Sequence, residues 1–130
     1  MKKNLSLLLL LVSLLSFSQN QQIGQNFVET LLIEKNFDKA LTYLDASIKE
    51  QITIDFLSKT SNQIAAQLGA YQNTISVANK GDVFSYYTQF KNMALDFDIK
   101  FKEDKIVSFF LKQHQEVNAN DYKIKSGIID

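Results

Sequence analysis

Apolar residues recur at helical spacing through the front of the chain and at alternating spacing behind it. Ile23, Phe27, Leu31 and Leu32 make one apolar face, which predicts a first helix over Gln22 to Glu34. Asn36 stands where a new helix needs a side-chain acceptor for its free amides. Phe37, Leu41 and Leu44 then continue the spacing, with Ala40 beside them, as a second helix. Asp45-Ala46-Ser47 breaks the pattern, and a short turn runs through Ile48 and Ile52. Thr53 is placed to cap a third helix, with Phe56, Leu57, Ile64 and Leu68 on its apolar side and Gly69 as its left-handed terminator.

After Gly69 the period becomes that of strands. Tyr71, Asn73, Ile75 and Val77 share one face of the first, and Asn79-Lys80-Gly81-Asp82 makes a tight turn. Val83 to Phe90 forms the second strand, and Lys91-Asn92 the next turn. Met93 to Phe101 has the clearest alternation. Met93, Leu95, Phe97, Ile99 and Phe101 face one way, and Asp96, Asp98 and Lys100 face the other, as a solvated side. Glu103-Asp104 turns into a last strand, Ile106 to Lys112. Its alternation places Ile106 and Phe110 on one face and Val107, Phe109 and Leu111 on the other; bulk on both faces predicts a central or covered strand. Helices followed by a run of strands indicate an α+β domain, with three N-terminal helices packed on a four-stranded antiparallel meander.

The two ends read differently. Met1-Lys2-Lys3-Asn4 precedes an apolar run from Leu5 to Leu15, and small residues come after it at Ser16 and Ser18. That is the layout of a secretory signal peptide, cut between Ser18 and Gln19. The apolar run is about half the roughly 20 residues that span a bilayer, so cleavage leaves no membrane anchor. The expected organisation is a signal peptide over 1–18, one domain over 19–114 and a tail over 115–130. Tyr122-Lys123-Ile124-Lys125 in the tail alternates as an edge strand would, or it frays as chain ends do. The product is then exported, periplasmic or extracellular.

Composition narrows the function classes. The chain has no cysteine, so an exported product relies on packing rather than disulfides. Without Lys2 and Lys3, 12 lysines face 14 acidic residues, and there is no arginine. Nucleic-acid binders carry a basic stripe with arginine for phosphate and guanine contacts, so that class is set aside.

Reactive constellations are equally scarce. His114 is the only histidine, and Glu116 beside it does not make the several spaced ligands of a metal site. Asp96 and Asp98 could share a proton or hold a cation, but Lys100 comes next on the same face. Ser58-Lys59-Thr60-Ser61 lacks a Ser-x-x-Lys arrangement, and four scattered glycines make no phosphate loop. The sequence therefore predicts no catalytic, metal or cofactor-binding residue, and no cofactor. Among the aromatics, Tyr43, Tyr71, Tyr86, Phe97 and Phe110 are the candidate pocket-lining residues, with Tyr87 as a further polar-tipped ring.

The stretch Phe90-Lys91-Asn92-Met93-Ala94-Leu95-Asp96-Phe97-Asp98-Ile99-Lys100-Phe101, with Lys105-Ile106-Val107-Ser108-Phe109-Phe110 after it, resembles the C-terminal half of the bacterial family named domain of unknown function 3887. Phe27-Val28-Glu29, Asn36-Phe37-Asp38-Lys39-Ala40 and Leu68-Gly69-Ala70-Tyr71 are similar to its front half. The resemblance implies a cone-like fold of the nuclear-transport-factor-two-like group, in which a curved sheet wraps around helices and can leave a pocket. Two departures are the missing tryptophan of the third helix and Ser108 in place of glycine. Members are exported and often precede an α/β-hydrolase domain. None is present here, so hydrolase activity is not carried over. Some enzymes of the wider fold, the ketosteroid isomerases among them, use an aspartate inside the cone; Asp96 and Asp98 are predicted on the other face. The expectation is an exported, non-catalytic domain that binds a small apolar ligand or a partner protein. The alternatives are an accessory to a separately encoded envelope hydrolase, or an acid–base enzyme of the cone pocket.

Overall fold

The computed structural model describes residues 19–114; the predicted signal peptide and tail lie outside the described residues. Residues 19–29 are α-helical and run into a π-helical turn, Thr30–Glu34; together they are α1. Lys35 ends α1 in the left-handed conformation, with φ 53°. Asn36 caps α2 (Phe37–Leu41) by accepting from the Lys39 amide. Asp45 does the same for a 3₁₀ turn, Ala46–Ile48, through the Ser47 amide. Thr53 caps α3 (Ile54–Leu68) through the Phe56 amide, and Gly69 leaves it at φ 86°. Each cap is a short polar side chain meeting an amide that the first helical turn leaves without a partner.

The rest of the described chain is four strands: β1 (Tyr71–Lys80), β2 (Val83–Phe90), β3 (Ala94–Lys102) and β4 (Lys105–Lys112). They pair antiparallel in chain order, so β1 and β4 are the edges among the described residues. The fold class is α+β, helices before a meander, as the periodicity predicts. Phe27, Val28 and Leu31 of α1 enter one core with Leu44, Leu57, Phe84, Tyr86, Phe97, Ile99 and Ile106. Phe27 meets Phe97 edge-on, with ring centroids 6.4 Å apart, an arrangement that suits the aromatic quadrupole. Tyr86 points its hydroxyl across this core to the Gln21 carbonyl, 2.7 Å away.

The edges depart from strict alternation. In β1 the pairing with β2 slips between Tyr71 and Asn73 and again between Thr74 and Ser76. The half-buried positions are therefore Tyr71, Thr74 and Val77, and Ile75 is exposed rather than sharing a face with Tyr71. In β4 the register moves from Phe101 opposite Ile106 to Lys100 opposite Ser108, which leaves Val107 as the bulged residue. One extra residue reverses the phase beyond it. Ile106 consequently shares the core face with Phe109 and Leu111, opposite Phe101, Ile99 and Phe97, while Phe110 turns to the outer face. The predicted grouping of Ile106 with Phe110 is corrected on this point. Nor is β4 central. Among the described residues it is an edge strand, and the one element of these that covers it does so at its start, where Leu44 forms a parallel bridge to Ile106. The bulge adjoins Ser108, the position where the family resemblance expects glycine.

Candidate functional site

The groove between α3 and β4 arises from the way α3 divides its faces. Leu57, Ser61, Ile64 and Leu68 recur every three or four residues and are buried. Ser61 keeps that stripe close to α1, donating from Oγ to the Leu31 carbonyl at 2.9 Å. The adjoining column, Phe56, Thr60, Gln63 and Gln67, faces the sheet across a cleft instead. Opposite it stand Leu95 and Phe97 of β3 and Phe109, Phe110 and Leu111 of β4. This compartment holds about 300 Å³. A second one of about 230 Å³ continues from it, between Ile48, Gln51 and Ile52 on one side and Val107 to Phe109 on the other. Phe56 and Phe109 belong to both and mark where they meet. No side chain lining either compartment is charged, although 22% of the chain is. The polar lining consists of Thr60, Gln63, Gln67, Gln51 and Ser108, all neutral hydrogen-bonding groups. A concave, apolar site with a few polar groups is the ordinary form of a small-molecule site.

The candidate aromatics separate accordingly. Phe97 lines the groove, and Phe110 borders it at the β4 rim while its exposed side chain turns to the outer face. Tyr71 lies elsewhere, in a hollow of about 90 Å³ beside Leu32 and Phe90, with its hydroxyl 3.0 Å from Gln25 Nε2. Tyr86 is fully buried in the core, and Tyr43 packs against that core from its half-buried place. Phe56, Phe109 and Leu111 are groove residues that periodicity places on packing faces and does not name as pocket-lining; Phe56 stands beside the buried stripe of α3 rather than in it.

The outer face of the sheet is not the solvated face that the sequence predicts. Asp96 is 5% and Asp98 4% exposed. Tyr87 and Lys112 flank Asp96 in the ladder, and Ser85 and Phe110 flank Asp98, so longer side chains cover the shorter ones. Lys112 Nζ lies 3.0 Å from Asp98 Oδ2, and Asp98 Oδ1 is buried without a hydrogen-bond partner among the described residues. His114 Nδ1 lies 2.7 Å from Asp96 Oδ1, and its ring stacks on Tyr87 with centroids 3.7 Å apart. A carboxylate at that distance fixes the orientation of the imidazole. Tyr87, Asp96, Lys112 and His114 border a separate hollow of about 200 Å³ with Ser76, Lys80 and Ser85. The described residues hold no cluster of three or more metal-ligating side chains. None of their helices is long and apolar enough to cross a membrane.

Two groups tie stability to alkaline pH. Hydrogen bonding and charge attraction from Asp98 hold the Lys112 ammonium above its ordinary value of 10.5. Burial pushes the Tyr86 hydroxyl above its ordinary value of 10.0. Both folded-state values are raised, so the fold favours the protonated forms. Their contributions are complete below pH 10 and are lost as pH rises through the raised folded values. Thermal unfolding should therefore fall in midpoint above about pH 10, and Tyr86→Phe should flatten the decline. An unchanged slope in that variant would remove Tyr86 from the explanation.

Fold and groove together define a small α+β domain with an uncharged cleft between its last helix and its edge strand. The chain belongs to the family described as Protein of unknown function (DUF3887), whose model matches residues 25–109. That span contains the α3 wall and most of the β4 wall of the groove. Neither a curated protein nor a solved structure matches the chain.

Proposed function

We propose that this chain is an exported, non-catalytic binding domain that holds an uncharged apolar partner in the groove between α3 and β4. The charge-free lining of both compartments carries the reading. A charged ligand group would lose its hydration there without gaining a counter-ion, which disfavours it strongly. Export rests on the signal-peptide layout of Met1 to Gln19 and places the domain in the periplasm or outside the cell. Acid–base catalysis has one observation in its favour, the Asp96–His114 pair. That pair lies on the sheet face opposite the core, away from the apolar cleft.

The test uses Phe56, which is 44% exposed on α3 and borders both compartments. Phe56→Glu should leave the fold nearly as stable as before, since the site is a helix surface. It should weaken binding of a neutral solvatochromic dye such as Nile red by about ten-fold or more, because the dye must then share the cleft with a carboxylate. Equal dye titrations for the two proteins would sink the groove as the binding site.

A further inference from the structure

We infer that the groove takes an extended, uncharged peptide segment of another protein, paired as an added strand on the edge of β4 that no described strand covers. The inference rests on the proposed binding role of the groove and names the class of its occupant.

The β4 backbone carries the argument. Antiparallel neighbours alternate between pairs that exchange hydrogen bonds and pairs whose groups point away from each other. Ile106 points away from β3: its amide donates to the Tyr43 carbonyl at 2.9 Å, and its carbonyl accepts from the Asp45 amide at 2.8 Å. Its partner Phe101 likewise turns from β4, its amide donating to the Asp82 carbonyl at 2.8 Å. Along β3, Ile99 and Phe97 lie at two-residue steps from Phe101, and beyond the Val107 bulge they face Phe109 and Leu111. The amides and carbonyls of Phe109 and Leu111 therefore point outward, into the edge that borders the groove. Among the described residues no backbone group pairs with them there.

The start of such an added strand already exists. Leu44 occupies the neighbouring position beside Ile106, and the chain then leaves the edge through the 3₁₀ turn after Asp45. Beyond that departure no described strand covers the edge of β4, which borders the cleft. An acyl chain or a compact apolar ligand lying there would cover the outward amides and carbonyls of Phe109 and Leu111 without bonding them, and such burial is costly. A strand satisfies them, and its alternate side chains drop between Phe56 and Phe109 into an uncharged lining. The segment must be uncharged at those inward positions for the same reason.

The experiment compares three probes on the purified protein. They are a blocked, uncharged hexapeptide alternating valine with threonine, the same peptide N-methylated at alternate residues, and palmitate. The unmodified peptide should bind and should protect the Phe109 and Leu111 amides from hydrogen exchange. N-methylation leaves the side chains unchanged and removes the pairing amides, so it should weaken binding by about ten-fold or more. Equal affinity of the two peptides, or palmitate binding with no peptide binding, overturns the strand while leaving an apolar groove in place. If neither peptide nor palmitate nor Nile red binds, the groove reading itself fails.

Discussion

Alanine at Gly24 should destabilise the fold by about 1–3 kcal/mol, the usual cost of forcing atoms into a filled core. A Cβ at this position would overlap the Tyr86 hydroxyl and crowd the ring behind it. Tyr86 has no room to withdraw, since from β2 it is fully buried against α1 and its hydroxyl is fixed by the Gln21 carbonyl. The hydroxyl is the nearest obstacle, so Gly24→Ala combined with Tyr86→Phe should cost less than the sum of the two single changes. Urea unfolding of the four proteins checks both statements. A strictly additive cycle would mean that the close approach is relieved elsewhere.

Truncating Phe97 should have the larger effect, about 3–5 kcal/mol, as expected for removing a buried phenylalanine. The ring is 1% exposed, meets Phe27 and Phe109, and forms part of the floor of the groove. Phe97→Ala thus does more than leave a closed void; it opens the cleft toward the core beneath it. Small apolar molecules such as benzene should recover part of the lost thermal midpoint, because apolar cavities accept them. Loss of stability with no recovery at any benzene concentration would indicate that the core collapses into the space.

The features legible in the sequence are local ones. Asn36, Thr53 and Gly69 act within three or four residues of themselves, so their roles can be read from the order of residues alone. The strand count and turns are legible for the same reason, and so is the family, whose motifs are those packing and turn residues. The bulge at Val107 is not. Without its partner strand, one extra residue looks like a valid alternation with the opposite faces, and that alternation groups Ile106 with Phe110. Burial of Asp96 and Asp98 is equally hidden, since it depends on Tyr87 from β2 and on Lys112 and His114 from beyond the next turn. The groove lies between two elements some fifty residues apart. Phe97 and Phe110 can be named as aromatic candidates, but the column of Phe56, Thr60, Gln63 and Gln67 becomes a wall only once β4 stands opposite it.

The π-helical turn at Thr30–Glu34 bears on how this chain tolerates changes in length. A π turn is an α-helix carrying one residue too many, absorbed as a local widening. Upstream of it, Phe27 and Val28 keep their places in the core; downstream, Lys35 still delivers the chain to the Asn36 cap. The surplus residue is thus stored between two fixed points. Along this stretch a relative with an ordinary α-helix would be one residue shorter, with the same ends. The helix itself absorbs an insertion here, and Ser61 on the neighbouring helix, bonded to the Leu31 carbonyl inside the turn, holds the widened form in register.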